Sequence, residues 1–454
     1  MYSLGYFIII LIAILVEIYR KKYSRIDSFS IFLLGFFLSY LIPCFLWSLL
    51  PELFQEKLPY NLYYNAASTP EVFFTIALSY TSFCLMYLFF KKSGSILSLG
   101  TESINYNNIQ QRTRFFIIFS LFVFLIFIMI LLSGGLTEYI SSSLEARHNK
   151  TEFGLAGYLN YLLTAALFLF ISAVYLWSEK EYYQIGLFSK IIIIITLVFV
   201  SISLLARGGR SSIVNVLIYV MVFLYFTGKI RINVKTIFLT ILFSFISLFI
   251  IYYLRKMSAN LIAGNYMLDN IDIVTFLEDI GSVLIYPFQY FVHYIFVIVE
   301  FFKQPDAYYY PRLGSDIISG LVVMIPGMNG QSLGLPELPD IVSQNIMGKY
   351  NGYIPPGWIG WSLMDGNYIF LIVKLSFSAL ICSFIDKSYP LISKKTSIGD
   401  LNYFLIILFV ISILFEVTSM NLFRGRIGEG LFFILYFCLP KLRLGKIKLY
   451  KRRF

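Results

Sequence analysis

The stretch "FFIIFSLFVFLIFIMILL" at residues 115–132 decides the fold class, because it is apolar on every face and carries no charge. A run of this length can cross the hydrocarbon core of a bilayer as an α-helix. A membrane-spanning β-strand would instead alternate apolar and polar residues. Charged residues make up 13% of the chain and hydrophobic residues 58%, whereas soluble domains carry about 25% charged residues. The sequence therefore predicts an all-α, polytopic membrane protein.

Eleven apolar runs are predicted to span the membrane, at about 4–19, 30–50, 71–90, 115–133, 156–177, 190–206, 212–228, 236–254, 357–384, 401–419 and 428–440. Most of the 36 lysines and arginines then fall in loops on one side. The positive-inside rule assigns that side to the cytoplasm. The N-terminus is predicted to lie outside, and the basic tail at 441–454 inside. The first run has its basic cluster after it and lacks an A-x-A cleavage site, so it is predicted to be retained.

One long outer loop, at 255–356, is predicted within a single transmembrane domain of residues 1–454. It contains two further apolar runs, at 281–302 and 317–327. If only one of them crossed the membrane, the basic tail would face outward. They are therefore predicted to act as a pair of interfacial or re-entrant helices, broken by Pro287 and Pro326.

Basic residues on the outer side are informative, because the positive-inside rule does not require them there. Two glycine-spaced clusters stand between apolar runs: Arg207, Gly208, Gly209 and Arg210 in "LLARGGRSSI" (204–213), and Arg424 with Arg426 in "NLFRGRIGEG" (421–430). Glycine lets a backbone approach a ligand closely, and the arginine fork matches phosphate oxygens in two places. The pattern favours an anionic, membrane-embedded substrate such as a diphosphate-linked lipid. Snorkelling of these arginines to lipid headgroups is the alternative.

Several other residues have two interpretations each. Glu429 is either a general base or the ion-pair partner of the nearby arginines, and the partner role is favoured. His293 lies in an apolar run, where a buried, hydrogen-bonded histidine is the more common case. Lys374 and Glu416 lie within predicted spans, where charges are candidates for function and for pairing with each other.

Aromatic residues crowd the predicted outer loops, as in "YNLYYN" (60–65), "DAYYYPR" (306–312) and "GYIPPGWIGW" (352–361). An aromatic belt at the membrane interface explains most of them, and stacking on sugar rings is the second interpretation. The four cysteines, Cys44, Cys84, Cys382 and Cys438, lie in apolar runs and are predicted to be buried thiols. No Walker A motif or D-x-D pair occurs, which disfavours ATP-driven transport and nucleotide-sugar chemistry.

These features together resemble the Wzy family of bacterial oligosaccharide repeat-unit polymerases, which make O-antigen, capsule or enterobacterial common antigen. The resemblance consists of about eleven helices, "ARGGRSS" (206–212) between the sixth and seventh, a large late outer loop, and "RGRIGEG" (424–430) before the last. The segment "NGYIPPGWIGWSLMDGN" (351–367) is similar to the start of a late helix in that family.

The resemblance implies a glycosyltransferase of the bacterial inner membrane that is active on the periplasmic face. The donor is a growing glycan on undecaprenyl diphosphate, and the acceptor is a single lipid-linked repeat unit. The glycan is transferred en bloc to the acceptor's non-reducing end, which contributes to lipopolysaccharide or a related polysaccharide. No metal or other cofactor is implied. The implied partners are the lipid-linked donor and acceptor, membrane lipids and a chain-length regulator, and nucleic acid is not among them.

The residues expected to act in this chemistry fall into two groups. The catalytic group stabilises the leaving diphosphate or activates the acceptor and comprises Arg207, Arg210, Arg424, Arg426, Glu429 and His293. Asp316 is a further candidate for the general base. The substrate-binding group comprises Arg147, Gly208, Gly209, Arg255, Arg312, Asp316, Lys349, Tyr353 and Trp358.

Two rival functions use related substrates. An O-antigen ligase-type transferase would use a similar donor with a lipid A core acceptor. A flippase for the same lipid would not be an enzyme, and inverted repeats are typical of such transporters. The sequence shows no internal symmetry of that kind.

Overall fold

The protein is described by a computed structural model. It describes residues 2–20, 22, 24, 26–52, 66–92, 108–135, 138, 164–178, 187–206, 210–231, 233, 291–311, 338–347, 357–393, 396–416 and 426–438. Within these ranges the regular structure is helical, with no β-strand. The predicted all-α class is therefore confirmed for the described residues.

The described helices are numbered here in chain order. They are α1 (Tyr2–Tyr19), α2 (Ser28–Leu49), α3 (Pro70–Lys92), α4 (Asn108–Leu132), α5 (Ala166–Ser178), α6 (Leu187–Ala206), α7 (Arg210–Phe226), α8 (291–303), α9 (Pro305–Tyr308), α10 (Leu338–Met347), α11 (Gly357–Lys387), α12 (Tyr389–Ser393), α13 (Ser397–Glu416) and α14 (Ile427–Cys438). A π-helical turn, Phe37–Leu41, interrupts α2.

Six of these helices, within the described residues, are long and apolar enough to cross a membrane: α1, α2, α3, α4, α11 and α13. Four shorter apolar helices, α5, α6, α7 and α14, coincide with other predicted spans. The predicted span at 236–254 and the apolar run at 317–327 lie outside the described residues. The total of eleven spans and the position of the outer loop stay predictions.

The chain forms two compact units. The first comprises residues 1–99 and 210–424, and so contains α1–α3 and α7–α13. The second comprises residues 100–209 and 425–454, with α4–α6 and α14.

In the first unit, three helices run in the same direction. The Phe73 ring, near the start of α3, lies 5.3 Å from the Tyr6 ring in α1. Thr75 of α3 shares a 2.9 Å hydrogen bond with Tyr368 in α11. Near the other end of both helices, the Tyr87 hydroxyl donates to Asp386 at 2.6 Å. These pairings make α1, α3 and α11 parallel, as the predicted alternation of loops requires.

The helix α2 runs antiparallel to α11. The amide of Ser28, at the start of α2, donates to Asp386 near the end of α11 at 2.7 Å. The amide of Ile359, near the start of α11, donates to the hydroxyl of Tyr40 further along α2 at 3.1 Å. This opposite direction is also the one that the predicted alternation requires.

A buried polar network ties the helices together at the end where α11 finishes. Asp386 accepts hydrogen bonds from the Ser28 amide at 2.7 Å and from the hydroxyls of Tyr87 and Tyr403 at 2.6 and 2.9 Å. Nearby, the Arg20 guanidinium donates to both carboxylate oxygens of Asp27, the N-cap of α2. A buried acid is tolerated when such donors surround it. This end of the first unit is thus held by specific hydrogen bonds.

The helix α11 departs from prediction in one respect. The sequence predicts one continuous span at 357–384, but the backbone is non-helical at Gly366 and Asn367. The part after the break, residues 368–387, is about 30 Å long at 1.5 Å per residue. That length alone matches the hydrocarbon core of a bilayer. The break therefore lies within the predicted span, and the part after it is long enough to cross the hydrocarbon core by itself.

In the second unit, aromatic and hydroxyl contacts join the helices. The Phe168 ring of α5 stacks on that of Phe432 in α14, with centroids 5.5 Å apart. The Thr196 hydroxyl of α6 lies 3.3 Å from the carbonyl oxygen of Phe119 in α4 and 2.8 Å from that of Ile192 in its own helix. Most of the described buried side chains of this unit are apolar.

Candidate functional site: the broken helix α11

The start of α11 is packed tightly against two tyrosines. Gly357 has a φ of +66°, a backbone conformation that favours glycine. A Cβ atom at this position would lie 2.5 Å from Cγ of Tyr294 and 2.6 Å from the hydroxyl of Tyr40. Tyr40 belongs to the π-helical turn of α2, a feature frequent at functional sites. Glycine is therefore required here both for its conformation and for its size.

A buried lysine, Lys374, lies close to the start of α11. It is only 5% exposed. Its Nζ lies 3.4 Å from the carbonyl oxygen of Trp358 and 5.6 Å from the centre of that residue's ring. Asp365, 3% exposed, interacts electrostatically with it. An intramembrane charge is stable only with such partners, and it marks a functional candidate.

The predicted pairing of Lys374 with Glu416 involves a side chain outside the described residues. That pairing stays a prediction, and among the described residues Asp365 interacts electrostatically with Lys374. Both groups belong to α11 and lie on either side of its break.

The break itself stores backbone strain. Asn367 has φ 59° and ψ −159°, a region populated almost only by glycine and costly for other residues by about 1–3 kcal/mol. It is the one non-glycine residue with positive φ in the described part of the chain. Its side-chain Oδ1 accepts a 2.7 Å hydrogen bond from the amide of Tyr368, at the start of the second half-helix. The conformation is thus held by a local hydrogen bond, and strain of this kind clusters at functional sites.

The chain after α9 closes the other side of the break. The amide of Tyr310 donates a 2.8 Å hydrogen bond to the carbonyl oxygen of Met364, near the end of the first half-helix. The ring of Tyr368 stacks on that of Phe302 in α8, with centroids 5.6 Å apart. These contacts satisfy a carbonyl that the break releases from the helix. They also position α8 and α9 beside the break.

An open cleft of about 440 Å³ lies at this point, a volume typical of small-molecule sites. Its lining combines aromatic rings, a carboxylate and an amide. The residues are Phe301, Phe302, Pro305, Asp306, Tyr309 and Asn367. Tyr309 is 44% exposed, so its ring is accessible to a ligand in the cleft.

In the second unit, the end of the Arg-Gly-Arg cluster forms an ion pair. Nη1 of Arg426 lies 2.5 Å from Oε1 of Glu429. The carboxylate is only 6% exposed, and Arg426 stands immediately before the first residue of α14. The favoured interpretation of Glu429 as an ion-pair partner agrees with this geometry. A carboxylate held by a guanidinium is a weaker base than a free one.

Three other predicted site residues lie within described helices. His293 belongs to α8 and is partly exposed. The backbone of Arg210 forms the first residue of α7. Trp358 is buried and its ring packs edge-on against that of Tyr40 at 5.6 Å. That ring belongs to the protein core, and Trp358 bears on the site through the carbonyl that contacts Lys374.

The remaining predicted site residues lie outside the described residues: Arg147, Arg207, Gly208, Gly209, Arg255, Arg312, Asp316, Lys349, Tyr353 and Arg424. Their roles stay predictions. Conversely, sequence reasoning did not single out Asp306, Asp365 or Asn367. One signal for the break is present in the sequence, since Asp365-Gly366-Asn367 is a turn-forming combination within an apolar run.

No family model, curated protein or solved structure matches this chain.

Proposed function

We propose that the chain is a Wzy-type polymerase that joins undecaprenyl-diphosphate-linked repeat units on the periplasmic face of a bacterial inner membrane. The observation that carries the proposal is the placement of the two glycine-spaced arginine clusters. Arg210 is the first residue of α7, and Arg426 directly precedes Ile427, the first residue of α14. Each cluster thus leads into the N-terminus of an apolar helix.

This placement suits a diphosphate for two physical reasons. The free amides and the dipole at a helix N-terminus favour anions, and arginine adds a permanent charge with a planar fork of donors. The ion pair with Glu429 restrains Arg426, so less side-chain entropy is lost when a ligand binds. Arg207, Arg210 and Arg424 would stabilise the charge that develops on the leaving diphosphate.

The proposed reaction transfers the growing glycan to a hydroxyl of the acceptor's terminal sugar and releases undecaprenyl diphosphate. The acceptor hydroxyl loses its proton to a general base. His293 and Asp316 are the proposed bases. Glu429 is less suited, because its carboxylate is engaged by Arg426.

The test is the glycan made by cells in which the chromosomal copy is replaced by single variants. Arg207→Ala, Arg210→Ala and Arg424→Ala are expected to leave surface glycan at one repeat unit, while the protein remains in the membrane at the wild-type level. Lys92→Ala, which removes a basic residue on the predicted cytoplasmic side, is the control and should give wild-type chains.

The outcomes separate the proposal from its rivals. Long-chain glycan in all three arginine variants would refute the polymerase. Long lipid-linked polymer that accumulates without attachment would indicate a ligase-type transferase. Lipid-linked intermediates trapped on the cytoplasmic face would indicate a flippase.

A further inference from the structure

The geometry points to a glycan-binding subsite in the cleft at the break of α11. A sugar ring packs against Tyr309 and Phe302, while its hydroxyls donate to the Asp306 carboxylate and accept from the Asn367 amide. The inference rests on the proposed function for the identity of the glycan. The residues that line the cleft indicate the class of ligand, which is a sugar. The inference is based on an open cavity of about 440 Å³ that is lined by the accessible ring of Tyr309, the carboxylate of Asp306 and the side-chain amide of Asn367, whose backbone is strained.

The charges of the lining exclude the diphosphate as its occupant. Among the six lining residues, Asp306 is the one that ordinarily carries a charge at neutral pH, and a carboxylate repels a phosphate at close range. The nearby Lys303 does not line the cleft, and its Nζ lies 3.4 Å from Glu300. The cleft therefore suits an uncharged ligand that can accept and donate hydrogen bonds, a description that fits a sugar.

The aromatic part of the cleft is rigid. Phe302 is backed by Tyr368, whose hydroxyl shares a 2.9 Å hydrogen bond with Thr75 of α3. Rigid rings provide contact area at a low cost in conformational entropy. The apolar face of a sugar ring can pack on such a surface while its hydroxyls point toward Asp306 and Asn367.

The strain at Asn367 gives the second argument. Glycine would adopt φ 59° and ψ −159° without cost, yet the chain has an asparagine at this exposed position. An amide side chain provides two donors and one carbonyl oxygen. Oδ1 accepts from the Tyr368 amide, so the NH₂ group is directed elsewhere, and we assign it to a sugar hydroxyl.

The location of the cleft agrees with a glycan that extends from a lipid. Residues 368–387 are long enough to cross the hydrocarbon core by themselves, so the break lies at the edge of the bilayer. On the predicted topology this is the outer edge. A glycan attached to a lipid diphosphate would emerge from the headgroup region at the same depth.

The experiment measures binding of the host's own repeat-unit oligosaccharide, released from lipid and lacking the diphosphate. Saturation-transfer NMR on the full chain, in a detergent without a sugar headgroup, gives the dissociation constant. Tyr309→Ala is expected to weaken binding at least tenfold. Tyr310→Ala is the matched control, because that tyrosine is adjacent and 39% exposed but does not line the cleft, and it should stay within about twofold of wild type.

Two further variants test the polar part. Asn367→Gly relieves the strain, so it should unfold at a temperature no lower than wild type and yet bind the oligosaccharide several-fold more weakly. Asp306→Asn keeps hydrogen bonding and should retain most of the affinity. Complete loss in Asp306→Asn would show that binding depends on the negative charge, which an uncharged sugar does not require, and would overturn the proposal.

The oligosaccharide affinity of Tyr309→Ala tests the subsite independently of the proposed polymerase activity. Wild-type binding in Tyr309→Ala, or equal losses in Tyr309→Ala and Tyr310→Ala, would refute the subsite even where the arginine variants stop polymerisation. If long-chain glycan persists in cells with each of the three arginine variants but Tyr309→Ala alone loses oligosaccharide binding, the subsite stands and the proposed function falls.

Discussion

Replacing Gly357 by alanine is expected to lower the free energy of unfolding of the first unit by about 2–5 kcal/mol. Two contributions make up this range. A left-handed backbone costs a non-glycine residue about 1–2 kcal/mol, and Gly357 has φ +66°. The added methyl would also lie 2.5 Å from Cγ of Tyr294 and 2.6 Å from the hydroxyl of Tyr40. Overpacking of this kind costs about 1–3 kcal/mol.

A thiol-reactive fluorogenic dye provides the assay. Cys44, Cys84 and Cys382 are free and buried, as the sequence predicts, and all three belong to the first unit. Burial prevents them from reacting until the unit unfolds. A Cys438→Ser background limits the signal to these thiols, and the dye signal during heating then gives the unfolding temperature in detergent.

The matched control is Gly5→Ala. Its Cβ would lie 2.6 Å from Cε2 of Phe73, a distance similar to that at Gly357. However, Cε2 is at the outer part of a ring that can rotate away, and no positive φ is involved. Alanine also favours a helix over glycine by about 0.5–1 kcal/mol, so the net change should stay below about 1 kcal/mol. If Gly357→Ala and Gly5→Ala unfold at the same temperature, the packing argument for the start of α11 is wrong.

Three further predictions concern buried polar groups. The first two use the same dye assay, and the third follows the loss of helical circular dichroism on heating, because thiols react poorly with the dye at acid pH. Asp386→Ala leaves three buried donors without an acceptor and should lower the free energy of unfolding by at least about 3 kcal/mol. A variant as stable as wild type would show that these hydrogen bonds do not stabilise the fold. Lys374→Met should lower the free energy of unfolding by about 3 kcal/mol, and adding Asp365→Asn should recover most of that loss. Losses that add up in the double variant would show that the two charges are not coupled. Burial alone would raise the pKa of Asp27, but the hydrogen bonds and charge of Arg20 outweigh it and hold that pKa below its usual value. The ionised carboxylate therefore stabilises the fold above the unfolded pKa of about 4. The difference in stability between wild type and Asp27→Asn should be constant above about pH 5 and shrink below about pH 4. A difference that grows on acidification would contradict the lowered pKa of Asp27.

The long helices were predictable because hydrophobic length alone specifies them. The run at 115–132 lies within α4, Asn108–Leu132, and the predicted span at 71–90 lies within α3, Pro70–Lys92. In lipid, backbone groups must be satisfied within the segment, so a long apolar run has few alternatives to a helix. Boundaries differ by several residues because polar ends extend a helix beyond its apolar part.

The break in α11 was not predicted, because the long apolar part of the predicted span, residues 368–384, determines its average hydropathy and hides the polar residues at 365–367. Only the Asp-Gly-Asn combination signals it. Similarly, Arg20 was counted as one of many basic residues that orient the chain. Its buried pairing with Asp27 depends on how α1 and α2 meet, a tertiary relationship that a single sequence does not contain.

The candidate site was only partly predictable for the same reason. Lys374 was identifiable, since a charge within an apolar run is costly and needs a purpose. Its contacts with Trp358 and Asp365 depend on a helix that turns back on itself at the break. The cleft combines Asn367 of α11 with residues 301–309, which lie more than fifty positions earlier in the chain.

Irregular backbone in the first unit is concentrated toward one end. The π-helical turn at Phe37–Leu41 and the positive φ of Gly357 meet at the start of α11, and the break at Gly366–Asn367 follows. At the opposite end, the helices are held together by the hydrogen bonds to Asp386. At membrane depth, non-helical backbone is tolerated only where protein buries it or where it lines a cavity. The same end carries the cleft with Asn367 in its lining, so the strain there has a use that stability alone does not provide. The proposed polymerase, which would receive lipid-linked glycans at one leaflet, would use such a division, with one end of the helices fixed and the other shaped around its substrate.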